Sequence, residues 1–274
     1  MAIVALVKGE RGLQPVYKAL DLVNYKTALR EHSTALIKVN FITTKTWDTG
    51  ATTDPIVVEA IINKLHEASV EAIVVESDAT TTNADKAYAA TGIKDLCERT
   101  STKWLNLRHL QDRVELPIPD GLALRSITVP RIVTESAIVT AAKLKTHNET
   151  VVTLGMKNMF GLLPDKFKGK YHIKGISKVI VDINTVLKST LTVIDGFTAM
   201  EGLGPVHGRP VQMNTIIAGT DPVATDATAA RVMGFNPQTI SHIRKAHEKG
   251  LGQIDDIHVL GETLDATKRR FSRT

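Results

Sequence analysis

Between Lys143 and His172 the chain reads KLKTHNETVVTLGMKNMFGLLPDKFKGKYH, and six lysines, Lys143, Lys145, Lys157, Lys166, Lys168 and Lys170, stand against two acids, Glu149 and Asp165. This stretch carries four of the five net positive charges of the 274-residue chain. The lysines are interleaved with Thr146, His147, Asn158 and apolar residues such as Val152, Leu154, Met156 and Phe160. A solvated charge run needs no apolar neighbours, so the mixture describes a pocket wall, in which ammonium groups beside glycine turns hold an anion. A basic loop that serves only solubility is the plainer alternative.

Other residues with chemical potential lie at the ends of apolar runs. TALIKVNF closes on Lys38 and Asn40, and VEAIVVES closes on Glu76 and Asp78, which are equally candidates for catalysis or for capping the next helix. LTVID ends in Asp195 and leads into GFTAMEGLGPVHGRP, read as a glycine-rich loop offering Glu201, His207 and Arg209. In DPVATDATAARVMG, Asp226 falls on the apolar side of a helix one turn from Val223 and Ala230. A buried carboxylate needs a metal, a lysine or backbone amides to meet it. Substrate binding is thus assigned to Lys38, Asn40, Lys145, Lys157, Asn158 and Arg209. Acid–base work falls to His147, Asp195 and Asp226. A divalent metal would fall to Asp195, Glu201 and Asp226. Oxygen ligands favour Mg²⁺, Mn²⁺ or Ca²⁺, and addition of His147, His172 or His207 turns the preference to a transition metal.

The elements that must position these groups alternate. AIVALVK reads as a buried strand, Pro15–Leu29 as a helix, TALIKVNF as a strand, Pro55–Ser69 as a helix capped by Asp54, and residues 70–77 as a strand. That order implies an α/β fold with a mostly parallel sheet and helices on both faces, a single domain over residues 1–262. Residues 101–130, broken by Pro117, Pro119 and Pro130, read as edge strands or a small inserted subdomain. A further strand, SAIVTAAKL, feeds the lysine stretch, followed by helices expected over Glu149–Leu162 and Ile173–Leu187. MNTIIAG is a last long strand before a helix capped by Asp221, and residues 263–274 read as a frayed basic tail.

Composition narrows the classes. The single Cys97 excludes a disulfide or a cysteine-ligated zinc or iron–sulfur centre built by this chain alone, and it reads as a small buried hydrophobe. No GxGxxG or GxxxxGK[ST] motif supports a dinucleotide or P-loop reading. No apolar run reaches the roughly 18 residues of a membrane span, and a signal leader is not expected, which places the protein in the cytoplasm. A pI of 9.2 admits nucleic acid, but aromatics are few and the central basic stretch has no arginine.

Six blocks in fixed order carry a family resemblance: Lys38-Val39-Asn40, Thr53-Asp54-Pro55, Lys143-Leu144-Lys145-Thr146-His147, and Gly155-Met156-Lys157-Asn158-Met159-Phe160-Gly161. The last two are Val193-Ile194-Asp195-Gly196, with Met200-Glu201-Gly202 and Gly204-Pro205 after it, and Asp221-Pro222-Val223-Ala224. In these the chain resembles the domain of unknown function 362 family of archaeal and bacterial proteins. The resemblance implies membership rather than an activity. Many members look fused to ferredoxin-type modules with two iron–sulfur clusters; this chain departs from them, so any family redox chemistry would need a separate ferredoxin-like protein. The preferred expectation is an enzyme for a small anionic substrate, bearing phosphate or carboxylate, bound at strand ends. A non-catalytic partner of an iron–sulfur or electron-transfer protein, and a nucleic-acid-binding protein, are the other two classes.

Overall fold

Neighbouring side chains of a strand point to opposite faces of the sheet, and here both faces are buried. Val4 and Leu6 join one apolar core while Ala5 and Val7 join a second; Leu36 separates in the same way from Ala35 and Ile37. Strands buried on both faces read as continuous apolar runs. The computed structural model, which describes residues 1–274, contains β1 (Ala2–Lys8), β2 (Thr34–Lys38), β3 (Glu71–Glu76), β4 (Lys103–Asn106), β5 (Arg113–Pro117) and β6 (Ser126–Pro130). The remaining strands are β7 (Ala137–His147), β8 (Val151–Thr153), β9 (Leu191–Glu201), β10 (Arg209–Gly219) and β11 (Ile257–Gly261).

One nine-stranded sheet runs in the order β11-β1-β10-β9-β7-β2-β3-β4, with β8 on the end of β7. Only β10 and β8 run against their neighbours, so the sheet is mostly parallel. Helices Leu13–Leu22 and Pro55–Glu67 cover one face through Val16, Leu20, Ile61 and Leu65; helices Ile176–Val186, Pro222–Val232 and Ser241–Glu248 cover the other through Ile180, Ala227 and Ile243. Asp54 and Asp221 cap their helices as expected, accepting from the Ile56 and Ala224 amides at 3.0 and 2.9 Å. No helix is long and apolar enough to cross a membrane.

The 101–130 region divides between the two expected forms. β4 is an edge strand of the main sheet, whereas β5 and β6 make a separate two-stranded antiparallel sheet. Its loop is held by the buried Asp182, which accepts the amides of Leu122, Ala123 and Leu124 at 2.7, 2.7 and 2.8 Å.

Five expected elements differ. The helix over 15–29 breaks at Asn24, left-handed at φ 51°, into Leu13–Leu22 and Tyr25–Leu29. The helix over 149–162 shrinks to Gly155–Asn158 and a 3₁₀ turn, because residues 151–153 instead pair antiparallel with the overhanging end of β7, His147 opposite Val151. Helix Ile176–Val186 begins late, after a separate turn of helix at Gly169–Ile173. Most of the glycine-rich loop is strand: β9 runs through Gly196 to Glu201 and β10 restarts at Arg209. A Cβ on Gly196 would lie 2.7 Å from the Thr215 carbonyl oxygen, so this glycine serves strand-to-strand approach rather than a turn. The basic tail is packed, not frayed. Phe271 is buried, and the Arg269, Phe271 and Ser272 amides donate to Val232, Met233 and Glu201.

Candidate functional site

Successive strands β2, β3 and β4 extend the sheet to one side, and β7, β9 and β10 extend it to the other. The order reverses between β2 and β7, and open α/β sheets bind ligands in the crevice beyond the carboxyl ends of the strands at such a reversal. A cavity of about 460 Å³ opens there. Lys38 at the end of β2, Glu76 at the end of β3 and His147 at the end of β7 line it, together with Lys157 and Asn158 from the short helix that follows β8. Asn40, Ser77, Phe160 and Lys168 also line it, with Glu149 and His172 among the other wall residues.

Asn158 ties the crevice together. Its Nδ2 donates to the Lys38 carbonyl oxygen at 2.9 Å and to Thr140 Oγ1 at 2.8 Å, so it spans β2 and β7. Its Oδ1 accepts from Lys38 Nζ at 3.2 Å and Asn40 Nδ2 at 2.9 Å. With all four positions used, Asn158 is a clamp more than a ligand group. Lys38 pairs with Glu76 at 2.7 Å, both almost fully buried, and Glu76 also accepts the Phe41 and Ser77 amides at 3.1 and 2.9 Å. Burial lowers the Lys38 amine while Glu76 pulls it back up. The two glycines of GMKNMFG are explained by crowding: a Cβ on Gly161 would land on this ion pair, and one on Gly155 would strike Thr192.

His147 is nearly buried, and its Nδ1 accepts from the Glu149 and Thr150 amides at 3.1 and 3.3 Å. A nitrogen that accepts two N–H groups carries no proton, so the ring proton is on Nε2. Burial, with the charges of Lys157 and Lys145, drives the ring down to about 2. His147 therefore offers the cavity a fixed, neutral N–H donor, a poor metal ligand and a good electrophile for a ligand oxygen. The Lys157 ammonium makes no hydrogen bond or ion pair within the chain; it lies 5.8 Å from the centre of the Phe160 ring. Part of its side chain is open to the cavity, yet burial still lowers it to about 8. Lys168 Nζ donates to Ser77 Oγ at 2.7 Å, lies 5.4 Å from the same ring, and is likewise lowered by burial to about 8.

The remaining expected residues lie elsewhere. Lys145 is close by but does not line the cavity; its buried amine donates to the carbonyl oxygens of Ala51 and Pro205, and burial with Lys157 and Lys143 nearby pushes it well down. Asp195 faces Lys143, its register partner across β7 and β9, at 2.7 Å with both side chains wholly buried, and it also accepts the Asp54 amide at 2.8 Å. Asp226 accepts the amides of Gly155 and Met156 at 2.7 and 2.9 Å, which caps the short helix whose own cap position, Leu154, has no side-chain acceptor. Glu201 receives the Ser272 amide, and Arg209 is exposed beside Glu201 at 3.6 Å. The three carboxylates thus serve three separate structural partners, and no three His, Cys, Asp or Glu side chains gather as a metal site. Asp78 accepts the Ala84 amide at 2.9 Å, in the capping role. Cys97 is a buried hydrophobe, its thiol raised by burial to about 11. Ser77 and Lys168 were not singled out for the site by sequence; Lys168 sits in the basic stretch, but only the chain path brings it to Ser77, 91 residues away in sequence.

A 120-residue segment, 42% of the chain, is 29% identical to the "Thylakoid-associated protein sll1697" of Synechocystis sp.. That segment represents 37% of the relative's own length. No solved structure matches the chain. The family model described as "Domain of unknown function (DUF362)" matches residues 35–231, which contain β3, β7, all of β2 but its first residue and every lysine of the cavity, and the chain belongs to that family.

Proposed function

We propose that the protein binds a small organic or inorganic anion, carrying phosphate or carboxylate, in the cavity between β2 and β7. The observation that carries this reading is the ammonium of Lys157, which faces the cavity with no partner of its own while Lys168 lies against the same aromatic ring. A desolvated cation without a counter-ion is costly, and an anion placed there would relieve both lysines at once. His147 Nε2–H supplies a neutral donor to an anion oxygen. Lys38 contributes little, since Glu76 already neutralises it. Glu149 at the rim is occupied by His172 at 2.9 Å. A concave site of this volume suits a small ligand, whereas docking to a ferredoxin or to nucleic acid would call for lysines spread on a convex face. In keeping with a small soluble ligand, we place the protein in the cytoplasm.

Thermal unfolding with added phosphate tests the reading. Ligand at 100 times its Kd should stabilise the native state by about 2.7 kcal/mol. Chloride at equal ionic strength should do much less, and the Lys157→Ala protein should lose the difference. Equal shifts for wild type and Lys157→Ala would remove the site.

A further inference from the structure

Among the amines gathered near the cavity, Lys157 alone is held by nothing. Lys38 is tied to Glu76 and to the Val39 carbonyl oxygen, Lys143 to Asp195, Lys145 to two backbone carbonyls, and Lys168 to Ser77 Oγ. Lys157 also differs from Lys145 and Lys143 in lining the cavity. Three further features surround it. His147 lines the same cavity with its proton fixed on Nε2, Lys168 places a second cation against the Phe160 ring, and the volume of about 460 Å³ leaves room for an organic body beyond a bare oxyanion. A free amine that shares its cavity with a second cation and a neutral N–H donor is an arrangement suited to addition to a carbonyl.

We infer that the ligand is an anion that also bears an aldehyde or ketone, and that Lys157 forms an imine with it while His147 Nε2–H polarises the carbonyl oxygen and Lys168 meets the anionic group. This inference rests on the anion reading above. The lone pair of the Lys157 amine adds to the carbonyl carbon as the carbonyl π pair moves to oxygen, and the proton on nitrogen passes to that oxygen to give a carbinolamine. A second proton, from Lys168 or solvent, lets the oxygen leave as water, and the nitrogen lone pair closes the protonated imine. One water is released, and no oxidant or reductant takes part. Burial supports the step: a lysine held at about 8 has roughly 200 times more free amine at pH 7.5 than an ordinary exposed one. The mechanism assigns Lys157 as the catalytic nucleophile, with His147 and Lys168 touching the substrate.

Glyoxylate, a carboxylate-bearing aldehyde, with sodium cyanoborohydride tests this on the intact chain, because hydride transfer to the imine carbon leaves a stable secondary amine that peptide mapping locates. The expected result is one adduct per chain, on Lys157, formed about tenfold or more faster than on the exposed Lys166. The Lys157→Arg protein, with an unchanged melting temperature, should lack it. Adducts scattered over exposed lysines, with Lys157 no faster than Lys166, overturn the inference, and this readout in wild type needs no variant to fold. Phosphate separates the two readings. A thermal shift by phosphate without labelling at Lys157 sinks the imine and leaves the anion site, whereas labelling at Lys157 that phosphate does not suppress sinks the anion site and with it the anionic ligand inferred here, leaving only a reactive amine.

Discussion

Replacing Asp226 by asparagine should change stability in a way that depends on pH, and the sign follows from its surroundings. The carboxyl group is wholly buried in the helix Pro222–Val232 and accepts the Gly155 and Met156 amides; burial raises it from 3.8 to about 7. A carboxyl raised in the folded state keeps a proton that the unfolded chain has released. Its favourable contribution is therefore present at low pH and lost as pH rises from about 4 to about 7. Between pH 5 and pH 8 the wild-type protein should lose about 2–3 kcal/mol from this group, and Asp226→Asn should lose none of it. All other titrating groups cancel in the difference between the two proteins. Urea unfolding at pH 5, 6, 7 and 8 measures it: Asp226→Asn should gain on wild type by about 2–3 kcal/mol over that range. Asp226→Leu, which strands two amides at about 1–3 kcal/mol each, should be destabilised by roughly 2–6 kcal/mol at pH 5 and, having no carboxyl to titrate, should recover the same roughly 2–3 kcal/mol on wild type by pH 8. Phosphate titrations of folded Asp226→Asn should match wild type, since Asp226 does not line the cavity. A stability difference that stays constant across pH would refute the account of the buried carboxyl, and loss of phosphate binding in the folded variant would return Asp226 to the site.

Gly161→Ala puts a methyl group on Glu76 Oε1 and Lys38 Nζ, so prying that buried pair apart should cost about 3–5 kcal/mol in urea unfolding; a loss below about 1 kcal/mol would mean the pair can move aside freely. Lys143→Met leaves Asp195 buried without its ammonium partner and should cost a similar 3–5 kcal/mol, with Lys143→Met/Asp195→Leu recovering part of it; no recovery would show that the Asp54 amide bond to Asp195 matters more than the ion pair. Sulfate, whose charge is constant over the range, should bind with unchanged affinity from pH 6 to about 7 and weaken by up to about tenfold per unit per lysine above pH 8. Burial holds Lys157 and Lys168 at about 8, and only their protonated forms attract the anion. Calorimetry in two buffers of different ionisation heat should also detect proton uptake near pH 8, and binding insensitive to pH from 6 to 10 would exclude both lysines from the contact.

The main strands are legible because their centres are local apolar runs bounded by turn residues, and the caps at Asp54 and Asp221 because a side chain and an amide two or three residues on decide them. Of Lys38, Asn40, Lys145, His147 and Lys157, which strand-end placement brings to one edge of a parallel sheet, all but Lys145 line the cavity, and Lys145 turns instead to the Ala51 and Pro205 carbonyl oxygens. The apolar spacing of residues 149–162 suits a helix, while the overhanging end of β7 offers residues 151–153 a ladder that local spacing does not reveal. The glycine-rich loop failed for a related reason, because glycine marks a turn and a close strand contact alike until the opposing strand is known.

By itself the sequence determined the apolar centres of the main strands, where two helices start and that the basic excess sits in one stretch, since periodicity, capping and charge are carried by near neighbours in the chain. Only the tertiary structure decided which charges are spent and which remain free. Lys143 meets Asp195 across 52 residues, Lys38 meets Glu76 across 38, and Asp226 reaches the Gly155 amide across 71. Those pairings depend on strand order and register, and the energies that make them, desolvation and short-range electrostatics, act on distance in space rather than along the chain. Lys157 stands out as the free amine because every neighbouring carboxylate found another partner first.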